Sequence, residues 1–125
     1  MSRSRASLRL PLGSAAAQRT AEGVAAGLGW EFESTGPGSL VIDEDATRLH
    51  CHCSPLRAHL TLRSLGADLT ELRIDGRVPG WGPISSDHVR RQTDLLARRV
   101  GLAALDASRG QESGTGARAG SSPIA

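Results

Sequence analysis

From Trp30 to Val78, apolar side chains recur at every second position with charged ones between them: Leu72 and Ile74 alternate with Glu71, Arg73 and Asp75, and Trp30 and Phe32 with Glu31 and Glu33. Successive side chains of an extended chain point to opposite faces, so this spacing predicts strands with one apolar and one wet face. Turn residues cut the pattern into pieces. Gly36-Pro37-Gly38 joins the Trp30 strand to Leu40–Asp43. A strand from about Leu49 to Cys53 is expected to turn at Ser54-Pro55 into Ala58–Leu65, and Gly66-Ala67-Asp68 leads into Leu69–Val78. Consecutive strands joined by short turns form an antiparallel meander. A further strand is expected where Leu8, Leu10 and Leu12 alternate with Arg9 and Pro11. Proline lacks the N–H that an inner strand needs, which places this one at a sheet margin.

Two segments carry the other period. Ser14 is a candidate N-cap for a helix to Leu28, with Ala17, Ala21, Val24 and Leu28 on one side and Gly29 as its stop. Gly23 and Gly27 weaken it, and their bare Cα atoms suggest a close approach to the sheet. After the corner Pro79-Gly80-Trp81-Gly82-Pro83, the residues Val89, Thr93, Leu96, Val100 and Ala103 form an apolar stripe that Leu95 and Leu102 widen. Asp87 with Arg91, Arg90 with Asp94, and Asp94 with Arg98 are i,i+4 pairs on its wet side. The predicted fold is α+β: an antiparallel five- to six-stranded meander with one N-terminal helix and a long C-terminal helix packed on one face. Leu8, Leu10, Trp30, Phe32, Leu40, Ile42, Leu60, Leu62, Leu72 and Ile74 are expected to meet Val24, Leu28, Leu96 and Val100. The expected boundaries are a disordered arm over 1–5, one domain over 6–107, and a disordered Gly/Ser/Ala-rich tail over 108–125.

That order of elements, closed by a long amphipathic helix after a Gly/Pro corner, resembles the helix-grip proteins of the START and Bet v 1-like superfamily. The resemblance covers roughly Ala6 to Ala107. It implies a curved sheet and a C-terminal helix enclosing an apolar cavity for lipids, sterols, polyketides or similar molecules; some members are cyclases or co-chaperones. The chain is short for that plan. One helix fits between Gly13 and Gly29 where the family usually places two, which shrinks the cavity.

Composition narrows the function classes. The 125 residues hold 15 basic against 13 acidic side chains, for a net charge of +2. Every basic residue is Arg. Along the sequence the arginines alternate with acids, apart from Arg3, Arg5 and Arg9, so no nucleic-acid partner is expected. No apolar run approaches the ~20 residues that span a bilayer, so no membrane association is expected, and Met1–Leu12 lacks a secretory core. A cytoplasmic location follows, with Cys51 and Cys53 as reduced thiols filling core space.

No cluster fixes a reaction or a cofactor, and the chain is read as non-catalytic, binding an apolar small molecule or a partner protein. Trp30, Leu60, Leu62, Leu72, Ile74, Trp81 and Leu96 are the candidate ligand-binding residues. Trp81, a large aromatic between glycines, is expected to plug the end of the core or to cover a pocket mouth. The edge around Leu8–Leu12 offers a route to a homodimer. The alternative is a zinc-binding or metal-sensing protein: if Cys51 pairs with Leu60 and His52 with His59, then His50, His52 and His59 share the outer face, and three imidazoles suit zinc with an open position. Asp43, Glu44 and Asp45 are expected in a solvated turn, and His88 at the surface of the last helix.

Overall fold

The computed structural model describes residues 1–45 and 54–120, with backbone alone over 111–120. In chain order the elements are β1 (Ser2–Leu10), α1 (Ser14–Leu28), β2 (Glu31–Gly36), β3 (Ser39–Asp43), β4 (Arg57–Gly66), β5 (Leu69–Val78) and α2 (Pro83–Gly120). The strands form one sheet in the order β1-β5-β4-β3-β2, every neighbouring pair antiparallel. The predicted α+β class holds. β2 to β5 make the meander, and β1 closes on β5 at a sheet margin, with Pro11 just past its end.

The inner face follows the sequence alternation. Leu40 and Ile42 on β3, Ala58, Leu60 and Leu62 on β4, and Leu72, Ile74 and Val78 on β5 are buried. α2 lies over β1 and β5, while α1 rests beside it toward β2 and β4. α1 contributes Ala17, Ala21 and Ala25, with Val24 and Leu28 only half-buried, so its contact face is built from small side chains. It begins at Gly13 rather than with a serine cap, and a Cβ there would lie 2.8 Å from the Ala67 carbonyl oxygen. Its end is the expected one. Gly29 takes a left-handed conformation, φ 76°, and donates to the Ala26 oxygen while Trp30 N–H donates to that of Ala25, which turns Trp30 into the core. Gly23 and Gly27 face open space and allow no close approach.

On α2, Val89, Thr93, Leu96, Val100 and Ala104 are buried, whereas Leu102 is exposed. Asp87 holds both Arg90 and Arg91 at 2.8 Å. The closest approach to the sheet is at Gly76 of β5, where an added Cβ would collide with Thr93 Oγ1 and lie 3.0 Å from Leu56 Cδ1.

Other expectations change as well, and one falls outside the described residues. β1 starts at Ser2, inside the arm expected to be disordered, because Ser2 to Arg5 pair with Val78 to Asp75 and the Ser2 hydroxyl donates to the Gly80 oxygen at 3.1 Å. α2 is continuous to Gly120, past residue 107; residues 121–125 lie outside the described residues. Phe32 is half-exposed, because β2 forms the second sheet margin, away from α2. The strand expected at 49–53 lies outside the described residues, and its expected partner is taken: β4 is flanked by β3 and β5, with Leu60 opposite Leu40 and His59 opposite Val41.

Gly76→Ala is expected to destabilise the protein by about 1–3 kcal/mol in urea unfolding, the cost of overpacking a filled contact. Adding Thr93→Ala should return part of that loss. Equal stability of Gly76→Ala and the unmodified chain would contradict the close approach.

Candidate functional site

The inner face positions most of the apolar candidate residues together. Trp30, Leu60, Leu62, Leu72, Ile74 and Leu96 belong to one buried cluster between the sheet and the helices. Trp81 does not. It is 84% exposed, in a loop whose Gly80 and Gly82 have φ 114° and 103°, so it neither plugs the core nor covers it. Leu56, Val78 and Val89 are buried at that end instead. Leu10 and Leu12, expected to contribute to a dimerising edge, are committed to the chain's own core.

A buried polar constellation lies at the same end of the helix layer. Glu44, just past β3, is 7% exposed, and His88 in the second turn of α2 is 6% exposed. Glu44 Oε1 accepts from the Leu56 backbone N–H at 2.9 Å and faces His88 Nε2 at 2.8 Å, while Oε2 accepts from Gln92 Nε2 at 2.5 Å. A carboxylate has only lone pairs to offer, so His88 presents Nε2–H to it. The Glu44 backbone N–H also donates to the Leu56 oxygen at 2.9 Å, so the two residues clasp each other. Thr93, one helical turn beyond Val89, adds a buried hydroxyl without a hydrogen-bond partner among the described residues.

Neither the solvated turn expected at Glu44 nor the surface position expected at His88 holds. The missed signal was short: continuing the Leu40, Ile42 alternation one step places Glu44 inward, and His88 with Gln92 is an i,i+4 pair beside the Val89, Thr93 stripe. The histidine metal site fares differently. His50 and His52 lie outside the described residues. His59 is on the outer face, opposite Asp75 and Val41. No metal-binding group of His, Cys, Asp or Glu occurs among the described residues.

The outer face is a charged lattice. β1 contributes Arg3, Arg5 and Arg9; β5 contributes Glu71, Arg73, Asp75 and Arg77; β4 contributes Arg57, His59 and Arg63. Asp75 receives Arg3 at 2.8 and 2.9 Å and Arg77 at 2.9 Å. The hydrogen bond from Arg3 is the largest cause holding its carboxyl well below the usual carboxylate range; partial burial opposes it and Arg77 adds to it. A cleft of about 450 Å³ opens here, lined by Arg3, Arg5, Ser7, His59, Thr61 and Arg73 among others. A second, of about 620 Å³, lies toward Met1, Arg57, Arg77 and Pro79.

No family model matches this chain, and no curated protein does. Solved structures are similar in fold. A START superfamily protein from Mycobacterium smegmatis is 14% identical, with 83% of this chain and 97% of that one covered and a TM-score of 0.52. The di-domain aromatase/cyclase BexL is 12% identical, with 83% and 45% covered and a TM-score of 0.49. The Zhui aromatase/cyclase from a Streptomyces species is 14% identical, with 96% of each chain covered and a TM-score of 0.35. The chain has a START-like helix-grip fold. No helix among its described residues is long and apolar enough to cross a membrane.

Glu44→Ala would strand the Leu56 N–H, His88 and Gln92 together, and a loss of about 3 kcal/mol or more is expected in urea unfolding. The Asp75 carboxyl has a lower pKa folded than unfolded, so its contribution is present above the unfolded value of ~3.9 and lost as pH falls below it. The difference in Tm between the unmodified chain and Asp75→Asn should therefore narrow on acidification below pH ~4. A gap constant from pH ~6 to ~2 would contradict the Arg3–Asp75 pairing.

Proposed function

We propose that this chain is a non-catalytic helix-grip module that holds an apolar small molecule between the inner sheet face and α2. Trp30, Leu60, Leu62, Leu72, Ile74 and Leu96 form the apolar walls, and Trp81 has no part in them. The observation that carries this reading is the Thr93 hydroxyl, buried in the apolar layer with no hydrogen-bond partner among the described residues. Buried polar atoms in folded proteins are nearly always satisfied, and an orphan in an apolar layer suits a ligand that brings one polar atom of its own once α2 rises and frees Thr93 from its contact with Gly76.

The START-like fold supports the same reading without naming a ligand. Glu44 supports it in another way. Its carboxylate is engaged by three donors, which uses it as a fixed polar end rather than as a free acid or base. The wall residues are covered in this structure, so entry requires α2 to lift from β5. That movement breaks the bonds of His88 and Gln92 to Glu44.

The test uses Trp30 as reporter in a Trp81→Phe background, titrated with a polyene fatty acid that accepts tryptophan emission. Saturable quenching of Trp30 at one equivalent is expected. Thr93→Val, which keeps the side-chain shape and removes the hydroxyl, should weaken binding about fivefold or more while leaving the unliganded protein at least as stable. Absence of saturable quenching by a folded protein, or binding that is indifferent to Thr93→Val, would overturn the reading.

A further inference from the structure

The sheet face turned away from α2 carries charge that nothing in the inner layer uses. Over β1, β5 and β4 it bears seven arginines, the three of β1 with Arg73, Arg77, Arg57 and Arg63, against two acids, Glu71 and Asp75. The excess is five positive charges on three adjacent strands. Acidic residues gather on the other margin instead, where Glu31 stands opposite Asp43 and Glu33 opposite Val41. In the sequence these arginines look scattered, because each is separated from the next by at least one inward-facing residue or by a long stretch of chain. Pairing the strands collects them.

Part of this charge is already used internally. Arg3 and Arg77 hold Asp75, Arg73 holds Glu71, and Arg57 holds Asp43. Arg5, Arg9 and Arg63 are exposed and make no ion pair among the described residues. Their spacing decides what they fit. Side chains on one strand face repeat at ~6.8 Å and neighbouring strands lie ~4.8 Å apart, so Arg5 and Arg9 stand ~13 Å apart at the backbone, and Arg63, two strands across from Arg9, ~10 Å from it. Guanidiniums so placed do not converge on one small anion. They match an extended one.

The chemistry of the face narrows the choice further. From the row of Arg3, Arg77 and Arg57 to that of Arg9, Glu71 and Arg63, the remaining outward residues are Ser7, His59 and Thr61. There is no Trp, Phe or aliphatic side chain for a membrane wedge or for stacking of unpaired bases. A duplex keeps its bases inside and presents regularly spaced phosphates, the groups that arginine forks bind best. The cleft between Arg5, His59 and Arg73 gives such a backbone a recess to lie in. We propose that the outer face of β1, β5 and β4 docks double-stranded nucleic acid through its phosphate backbone, without reading base sequence.

The experiment is anisotropy of a labelled DNA duplex of ~20 base pairs titrated with the full chain. Saturable binding is expected, independent of base sequence and weakened ~100-fold between ~50 and ~200 mM salt, as for about four phosphate contacts. The triple variant R5E/R9E/R63E should lose ~30-fold or more in affinity, while R19E/R98E/R99E, with the same change in net charge on exposed helix positions, should stay within ~3-fold. The neutralising pair R5Q/R63Q introduces no new repulsion with Asp75 or Glu71, so it guards against misfolding of the triple variant. It should reduce the salt slope by about two. Equal losses in the two triple variants, no binding at ~50 mM salt, or binding to phosphatidylserine vesicles with none to the duplex would each overturn the proposal.

Discussion

Because β5 has no side chain at Gly76, Thr93 of α2 sits directly on the sheet, and that contact sets the depth at which the whole helix rides. From there α2 covers β1 and β5, and Val89, Leu96, Val100 and Ala104 reach the inner leucines. A sheet with one apolar face is stable only when that face is covered. α1 cannot do this alone: its buried face is Ala17, Ala21 and Ala25, which lets it nestle beside α2 but covers little area. The long helix is thus the main roof, and the Gly76 site is where roof and floor meet most closely.

Much of this arrangement was legible in the residues, and the parts that were not share a cause. Alternation located the inner faces of β3, β4 and β5, and helical spacing located Val89, Thr93, Leu96 and Val100. Gly29 announced the end of α1. What local patterns cannot express is which neighbour a strand finds. His59 shows this: its neighbours across the sheet are Val41 and Asp75, a fact decided by the whole sheet, while His52 lies outside the described residues. Trp81 misled for a related reason: size and glycine neighbours suggest a plug, yet the turn that Gly80 and Gly82 allow carries the indole into water. Glu44 and His88 were misjudged because polar residue types outweighed their positions, although both stand where the periodicities point inward. The arginines likewise form a scattered series along the sequence, and only strand pairing gathers them on one face.

The two faces of the sheet therefore do different physical work. The inner one is apolar and closed by α2, with its buried polar exceptions among the described residues in the Glu44 cluster and the Ser2, Thr70 and Thr93 hydroxyls; Thr70 donates to the Leu12 oxygen at 2.8 Å and so ties the turn after β1 to β5. The outer one is almost wholly polar, with its charge polarised between a basic side and an acidic margin. Burial governs the first and long-range electrostatics the second, and the second alone responds strongly to salt.

The reciprocal clasp between Glu44 and Leu56 fastens the two stems of the intervening stretch with backbone and carboxylate bonds that do not depend on what lies between them. Closing a longer excursion adds only about 0.6 kcal/mol for each doubling of its length. Changes of length or composition between those stems are therefore expected to leave roof and floor in place.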